Sequence, residues 1–520
     1  AVDAAIAVHS VLGLVEPQSS GLGGGAFMLV FEKESGDITV FDGRETAPAG
    51  VTPDLFIKDG DVLGFLDAWQ SGRSVGVPGQ VALYQAAHDA FGVSEWSSLF
   101  AEGIRLAEEG FVVSPRLATL LANPRLRGAV RLDDNPDTAA YFYPDGEPLA
   151  EGALRPNPEY AETLRAVATR GAEAFYTGDI AQAIVDAASA EPNGSSMTLE
   201  DLTSYSVKQR RALCGSFRTY RICSAPPPSS GGVAQNMIMG LYDRLLSDGD
   251  VSDDDRVVTF VDAQRLAYAD RDHYVADADY VAVPSDDLID PRYLAARAGD
   301  VFAPDAKPTP GDPGEVLGRG SVIDRWGRDS TEDAPGTTHI SVVDQAGNAV
   351  SMTATVEAAF GSSRWAAGFL LNNELTDFAR QPELNGKPLA NAPARGKRPR
   401  SSMSPTLVFD DDGDLFMVTG SPGGNSIIAY VAKTLVGVLD WGMTAQEAAD
   451  FPNIIARGQN VAVEVDRGDG QVLADMLSER GYTVDERRGE NSGLHVIVVR
   501  DDGLEGGADP RREGVALPVE

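Results

Sequence analysis

A glycine and a threonine, placed where a Pro- and Gly-rich stretch gives way to a β-branched strand, constrain this chain more than any other feature. The stretch reads Pro335-Gly336-Thr337-Thr338-His339-Ile340-Ser341-Val342-Val343. Gly336 has no side chain to block attack by the Thr337 hydroxyl on the carbonyl between them. Breaking that bond would give Thr337 a free α-amino group beside its hydroxyl, so one residue would supply both nucleophile and base. Gly-Thr is also a common dipeptide, and an ordinary loop entering a strand reads the same way. The rest of the chain has to distinguish the two.

With 520 residues the chain can bury one large core or several smaller ones, and 43% apolar with 23% charged residues is a globular composition. No window approaches the roughly twenty apolar residues of a membrane span. The net charge of -35 argues against nucleic-acid or anionic-membrane partners, because phosphate would be repelled. It fits either a salt-adapted acidic shell or plain solubility. The five histidines, His9, His88, His273, His339 and His495, are scattered, and no His-Glu-x-x-His or paired-Cys motif occurs. No metal and no cofactor is therefore expected. The chain opens on Ala1-Val2-Asp3 without a basic start, apolar run and cleavage site, so any export signal is expected to have been removed or never present.

Cys214 and Cys223 flank a tight hairpin turning at Arg218-Thr219. A two-residue turn there pairs positions summing to 437, which sets the two cysteines opposite each other. The register permits a cross-strand disulfide, with two reduced thiols as the alternative. The disulfide points to an oxidising, periplasmic or extracellular setting.

Helical spacing covers residues 2–15, 79–91, 97–109, 158–170, 178–190, 232–247 and 255–271, and later 424–440 and 444–450. Strand patterns occur at 27–31, 38–41, 338–344, 349–356, 369–371, 405–409 and 414–419. Gly21, Gly23 and Ala26 match a dinucleotide fingerprint, but a helix precedes them and a strand follows, the reverse of what that motif needs. The glycines are read instead as allowing close backbone packing. Residues 300–336 are Pro-, Gly- and Asp-rich and are expected to form a flexible, exposed approach to Thr337. Blocks of strand and helix that do not alternate strictly predict an α+β fold.

Five features then fall in order: Arg44 in Gly-Arg-Glu-Thr-Ala-Pro; Pro226-Pro227-Pro228-Ser229-Ser230-Gly231-Gly232; Thr337-Thr338-His339; Ser401-Ser402-Met403-Ser404-Pro405; and Gly420-Ser421-Pro422-Gly423-Gly424. The ordered set resembles the γ-glutamyltranspeptidase family of N-terminal-nucleophile hydrolases. The resemblance runs from Asp3-Ala4-Ala5 to Asp509-Pro510-Arg511-Arg512-Glu513-Gly514.

The resemblance implies a four-layer αββα sandwich and a proenzyme cleaving itself at Gly336-Thr337. The products would be a large chain, 1–336, and a small chain, 337–520, intertwined as a heterodimer. Thr337 would attack γ-glutamyl amides such as glutathione, and water or an amino-acid or peptide acceptor would resolve the ester. Thr355 corresponds to the threonine that hydrogen-bonds the nucleophile, and Gly423 and Gly424 offer N–H groups to an oxyanion. Arg44 would clamp the substrate α-carboxylate bidentately, helped by Ser401 and Ser402. Glu374 and Asp377 would accept from the α-ammonium.

Three departures stand out. Glu357 replaces an Asn common in the family and would crowd a third carboxylate round one cation, unless one of the three is protonated or Glu357 turns toward Arg364. The loop from Asp377 to Ser401 is short and lacks an aromatic cover, which suits an open gate and a bias to hydrolysis. The chain also starts later than family members do, so Ala1 is expected to be a trimmed start with a strand missing before it. His339 shares Thr337's side of the strand and can either support the site or simply pack. The rival readings are a cephalosporin- or glutaryl-type acylase of the same architecture and a non-catalytic binding protein on this scaffold.

Overall fold

A computed structural model describes residues 1–246, 251–300, 302–329, 331, 336–489 and 492–518. Two antiparallel sheets form its centre. The first runs Gly336–Val343, Ala349–Glu357, Gly25–Glu32, Asp37–Gly43 and Lys208–Arg211, in that spatial order. The second runs Gly503–Ala508, His495–Arg500, Leu415–Gly420, Thr406–Phe409, Tyr220–Ser224 and Leu213–Phe217.

Side-chain alternation along the strand Gly25–Glu32 explains the layering. Phe27, Leu29 and Phe31 share a core with Leu407, Phe409 and Met417 of the second sheet. Ala26, Met28 and Val30 join the helix-rich core built on Ile6, Leu83 and Tyr84. Period-two alternation with both faces apolar requires a cover on each side. The helices Val2–Val15 and Gln80–Phe91 cover the first sheet, and Gly231–Leu245 and Ile427–Leu439 cover the second. The result is helix, sheet, sheet, helix: the expected α+β, αββα sandwich.

The Cys hairpin forms in the expected register, Phe217 opposite Tyr220 and Cys214 opposite Cys223, and a disulfide joins the two cysteines. The glycine run after the first helix packs as read. A Cβ on Gly23 would stand 2.1 Å from the Leu370 carbonyl, and one on Gly24 would stand 2.0 Å from that of Thr355.

The stretch before Thr337 differs from expectation. Pro308, Pro313, Gly314, Gly327 and Asp329 are buried. The carbonyls of Thr309, Gly311 and Ile323 are taken by Arg297, Tyr274 and His273, and Arg400 pairs with Asp329 at 2.9 Å. Backbone that lacks a helix or sheet partner still has to be satisfied when buried, and here side chains of two neighbouring helices do so. Residues 332–335 lie outside the described residues.

Candidate active site

One end of the first sheet collects the candidate residues in a row. Thr337 pairs across the ladder with Thr355, Thr355 with Gly25, and Ala26 with Gly43, the residue before Arg44. A Cβ on Gly25 would meet the Gly43 carbonyl at 2.4 Å and a Glu45 carboxylate oxygen at 2.6 Å, so glycine lets these strands close at this end.

The Thr337 and Thr355 hydroxyls are 3.2 Å apart. Thr355 Oγ1 is also 2.5 Å from the Gly336 carbonyl oxygen and accepts from the Glu357 N–H at 2.8 Å. A carbonyl cannot donate, so the one Thr355 proton points at Gly336. The proton between the two threonines therefore belongs to Thr337. A Cβ on Gly336 would lie 2.5 Å from backbone atoms of Glu357 and Ala358, so only glycine fits there.

Arg44, Thr337, Thr355, Glu357, Glu374, Asp377, Ser401, Ser402, Met403, Gly424 and Ile427 line one cavity. Glu374 and Asp377 bracket a 3-10 turn, Glu374–Asp377. Residues three apart eclipse in that geometry, so both carboxylates face the same way. Asn372 fixes the turn by accepting from the Glu374 and Gly76 N–H groups and donating to the carbonyls of Gly23 and Gly76.

Arg44, 1% exposed, donates to Glu374, to Asp377 at 2.5 Å, and to the carbonyls of Pro399 and Arg400. Burial works against its charge, but Glu374 and Asp377 more than offset it and hold it protonated. Four of its five N–H donors are spent on protein. In this arrangement one N–H remains for a substrate carboxylate, a single contact in place of the bidentate clamp. Sequence reasoning passed over Glu45, which is fully buried beside Arg44; burial first of all lifts its carboxyl above the ordinary range.

Glu357 does not turn toward Arg364. It accepts from Asn373 Nδ2 and lines the cavity. Its φ of 78° is uncommon for a residue with a Cβ and coincides with the register shift between Gly336 and Thr337. Arg364 instead donates to the carbonyls of Ala187, Ala190 and Pro192, stapling a loop far along the chain.

The Pro-Pro-Pro-Ser-Ser run docks the Ser401-Ser402 segment. Ser230 donates through its N–H and hydroxyl to the Ser401 carbonyl, at 2.8 and 2.6 Å. Ser402 Oγ accepts from Arg271 at 2.6 Å and donates to Asn425 at 3.3 Å. Arg271 and Asn425 went unnoticed in the sequence. The signal for Arg271 was the run Asp270-Arg271-Asp272 on a helix whose last turns are buried on every side, because such charges must pair inside.

Gly423 and Gly424 have φ of 138° and 56° and lead into the short turn Gly424–Ser426 and the helix Ile427–Leu439. A Cβ on Gly423 would be 2.5 Å from the Tyr430 ring. Gly424 lines the cavity; Gly423 stands one residue behind it. His339 is buried, bonded to Thr353 at 2.8 Å and Ser341 at 3.0 Å, and stacked near His495. Burial, then His495, keeps it neutral, and it packs on Gly420 beneath the loop of Gly423.

The segment from Asp377 to Ser401 is tied down where a gate was expected. Asn391 donates to the Asp377 carbonyl at 2.7 Å and to Asp329 at 3.2 Å. Lys397 donates to the carbonyls of Ala390 and Ala392, and the Arg398 N–H donates to Asp277. The longest exposed run in it is the hairpin at 383–388.

A family model described as Gamma-glutamyltranspeptidase matches residues 1–519. The glutathione hydrolase proenzyme of Escherichia coli (strain K12) is 35% identical over 519 residues, covering 98% of this chain and 86% of that protein. The Acylase ACY 1 proenzyme of Pseudomonas sp. (strain V22) is 31% identical, covering 100% of this chain and 89% of its own length. Among solved structures, the cephalosporin acylase from Bacillus halodurans superposes with a TM-score of 0.86 at 25% identity, covering 100% of this chain and 91% of the other. A fold of two stacked sheets between helices, the cavity at the end of its first sheet and a family match along the whole length agree: the chain belongs to the γ-glutamyltranspeptidase family of N-terminal-nucleophile hydrolases.

Proposed function

We propose that this chain is a proenzyme that cleaves itself between Gly336 and Thr337 and then hydrolyses or transfers γ-glutamyl groups of glutathione and related amides. The observation that carries this reading is the Thr337–Thr355–Gly336 arrangement opening into a cavity lined by Arg44, Glu374 and Asp377. In self-cleavage, Thr337 Oγ attacks the Gly336 carbonyl carbon while the Thr355 hydroxyl donates to the developing oxyanion. The C–N bond breaks as the proton lost from Thr337 Oγ passes to the departing nitrogen, the acyl group stays on Thr337 as an ester, and water hydrolyses that ester to a Gly336 carboxylate and the restored Thr337 hydroxyl. Residues 1–336 and 337–520 then form a heterodimer held by shared sheets and cores.

The freed Thr337 amine next serves as base for its own hydroxyl. The nucleophile attacks the γ-carbonyl, the Gly424 and Gly423 backbone stabilises the oxyanion, and water or an amine acceptor takes the acyl group. The single N–H left on Arg44, with Ser401 and Ser402, binds the α-carboxylate, and Glu357, Glu374 and Asp377 surround the α-ammonium. This orients the donor before reaction. The Asp377–Ser401 loop carries no aromatic cover over the cavity, which supports water as an acceptor alongside amines and a bias to hydrolysis. The disulfide favours a periplasmic or extracellular location.

An acylase of aliphatic dicarboxylates is the second reading, drawn from the Pseudomonas and Bacillus halodurans relatives. It fits less well, because the cavity is lined by Glu357, Glu374 and Asp377 with Arg44 as its cation, a carboxylate-rich lining that suits a donor carrying an ammonium better than a plain aliphatic acyl chain.

Intact mass under denaturing conditions tests the first step: two separate pieces, broken between 336 and 337, for the wild type and one uncut chain for Thr337→Ala. A fully active wild-type chain that stays whole would overturn it. Turnover of a γ-glutamyl anilide well above a glutaryl anilide supports the donor class, and the reverse preference selects the acylase.

A further inference from the structure

The C-terminal run Asp509-Pro510-Arg511-Arg512 carries two adjacent arginines that do different things. Arg511 is a fixture. It pairs with Glu464 at 2.6 Å and Asp509 at 3.1 Å and donates to the carbonyls of Ala449 and Phe451. Asp509, buried completely, takes the Ser492 hydroxyl at 2.5 Å and the Leu494 N–H. These contacts hold the segment rigidly beside the nucleophile strand, which is the edge strand of its sheet. From this fixture Arg512 reaches across, and its Nη1 donates to the carbonyl oxygen of Thr337 at 2.6 Å.

We propose that Arg512 is a positioning residue for the nucleophile: its guanidinium fixes the Thr337 carbonyl and sets a positive charge against the amine that self-cleavage exposes, keeping that amine in its free-base form at neutral pH. This rests on the self-cleavage reading above. The carbonyl and amine belong to one residue, so covalent geometry keeps the guanidinium within about 6 Å of the amine. At that range a fixed cation disfavours a second one.

The other charged groups facing the amine act in the opposite sense. The Ala349–Glu357 strand brings Glu357, and the Glu374–Asp377 turn brings Glu374 and Asp377. Each carboxylate would hold a proton on the amine, and Arg44 is already tied to two of them. Around Arg512 itself stand Arg116, Glu16, Tyr430 and Asp509; burial first, then Arg116, pushes Arg512 down to about 9, so it remains charged at neutral pH. Arg512 thus counters a carboxylate-rich cavity from the backbone side of Thr337.

The test uses protein shown by intact mass to be cleaved at 336/337; a wild type that stays whole would sink the self-cleavage reading itself. In cleaved wild type, the pH dependence of cyanate addition to the Thr337 amine is followed by peptide mapping. The Thr337 amine should titrate below the ordinary α-amine range of about 7.7–8.0. Titration at or above that range would overturn the proposal. The pH profile of kcat/KM for Arg512→Gln should have its acidic limb moved up by about one unit, with activity recovering toward wild type at alkaline pH. Arg512→Lys should keep the wild-type limb. An Arg512→Gln enzyme lowered equally at every pH has lost packing only, and that result would also overturn the proposal. If Arg512→Gln fails to mature, the cyanate titration of the wild type decides alone.

Discussion

Thr355 Oγ1 stands 2.5 Å from the carbonyl oxygen of Gly336, and its only proton is committed to that carbonyl. The residue opposite Thr337, the proposed nucleophile, therefore already holds the bond proposed to break in a polarised state. The ladder pairing of Thr337 with Thr355 is what brings this about.

Thr355→Ala should slow self-cleavage by about 10²–10³-fold, the usual cost of one oxyanion donor. Thr355→Ser keeps the hydroxyl and should cleave at close to the wild-type rate. Intact mass as a function of time separates the two, and equal rates for Ala and wild type would exclude the role.

Gly336→Ala should leave one uncut chain. Its Cβ would have to stand 2.5 Å from the Glu357 carbonyl and the Ala358 backbone, which forces the Gly336 carbonyl away from Thr355. Denaturing electrophoresis reads the outcome, and circular dichroism checks that the fold persists.

Glu357→Gln should raise KM for a γ-glutamyl anilide up to about tenfold, a change of roughly 1.4 kcal/mol, with kcat less affected. The substitution removes the charge of one of the three carboxylates that line the cavity, Glu357, Glu374 and Asp377. KM for a glutaryl anilide, which has no ammonium, should stay level or fall. A uniform loss on both substrates would assign Glu357 a structural role only.

Glu45→Gln should change how stability depends on pH. Burial lifts the Glu45 carboxyl above its ordinary value of 4.5. The folded state then keeps a proton that the unfolded state loses as pH rises through the ordinary carboxylate range. The protonated group's contribution is complete below that range and is lost as pH climbs toward the folded value. Wild type should lose stability relative to Glu45→Gln from pH 4.5 upward, and Tm measured across that range for both proteins checks the sign.

Replacing Cys214 and Cys223 together by serine should destabilise the protein by about 2–3 kcal/mol, the loop-closure contribution of a bridge closing so short a loop. Denaturant titration without reductant measures it. No change would mean that the hairpin is held by its packing on Leu407 and the neighbouring strands alone.

Much of the fold was legible because it rests on local rules. Period-two apolar runs located the strands beginning at Gly25, Ala349 and Leu415, and helical spacing located Val2–Val15 and Pro158–Arg170 almost to the residue. The hairpin register followed from its turn, since a two-residue loop leaves no freedom in pairing. The ordered motifs named Arg44, Thr337, Ser401, Ser402 and Gly424, the family resemblance added Thr355, and all of them line one cavity. The short helices Pro115–Ala122, Pro124–Val130 and Pro136–Phe142 were too brief to show a period.

The sequence by itself determined the chemistry on offer: a glycine before a threonine, a strand to hold them, and a following strand that carries Thr355. Only the tertiary structure decided how charges are shared. Arg44 spends its donors on Glu374 and Asp377 because a 3-10 turn 330 residues away eclipses those two carboxylates on one side. Glu357 enters the cavity because a strand irregularity gives it a left-handed backbone. The approach to Thr337 is anchored because buried helices reach out to its carbonyls. Gly336 and Thr337 could be named from their neighbours in the chain, but Arg512, 175 residues on, could be found only from its bond to the Thr337 carbonyl, because no local pattern encodes which distant side chain a fold will bring to a given backbone oxygen.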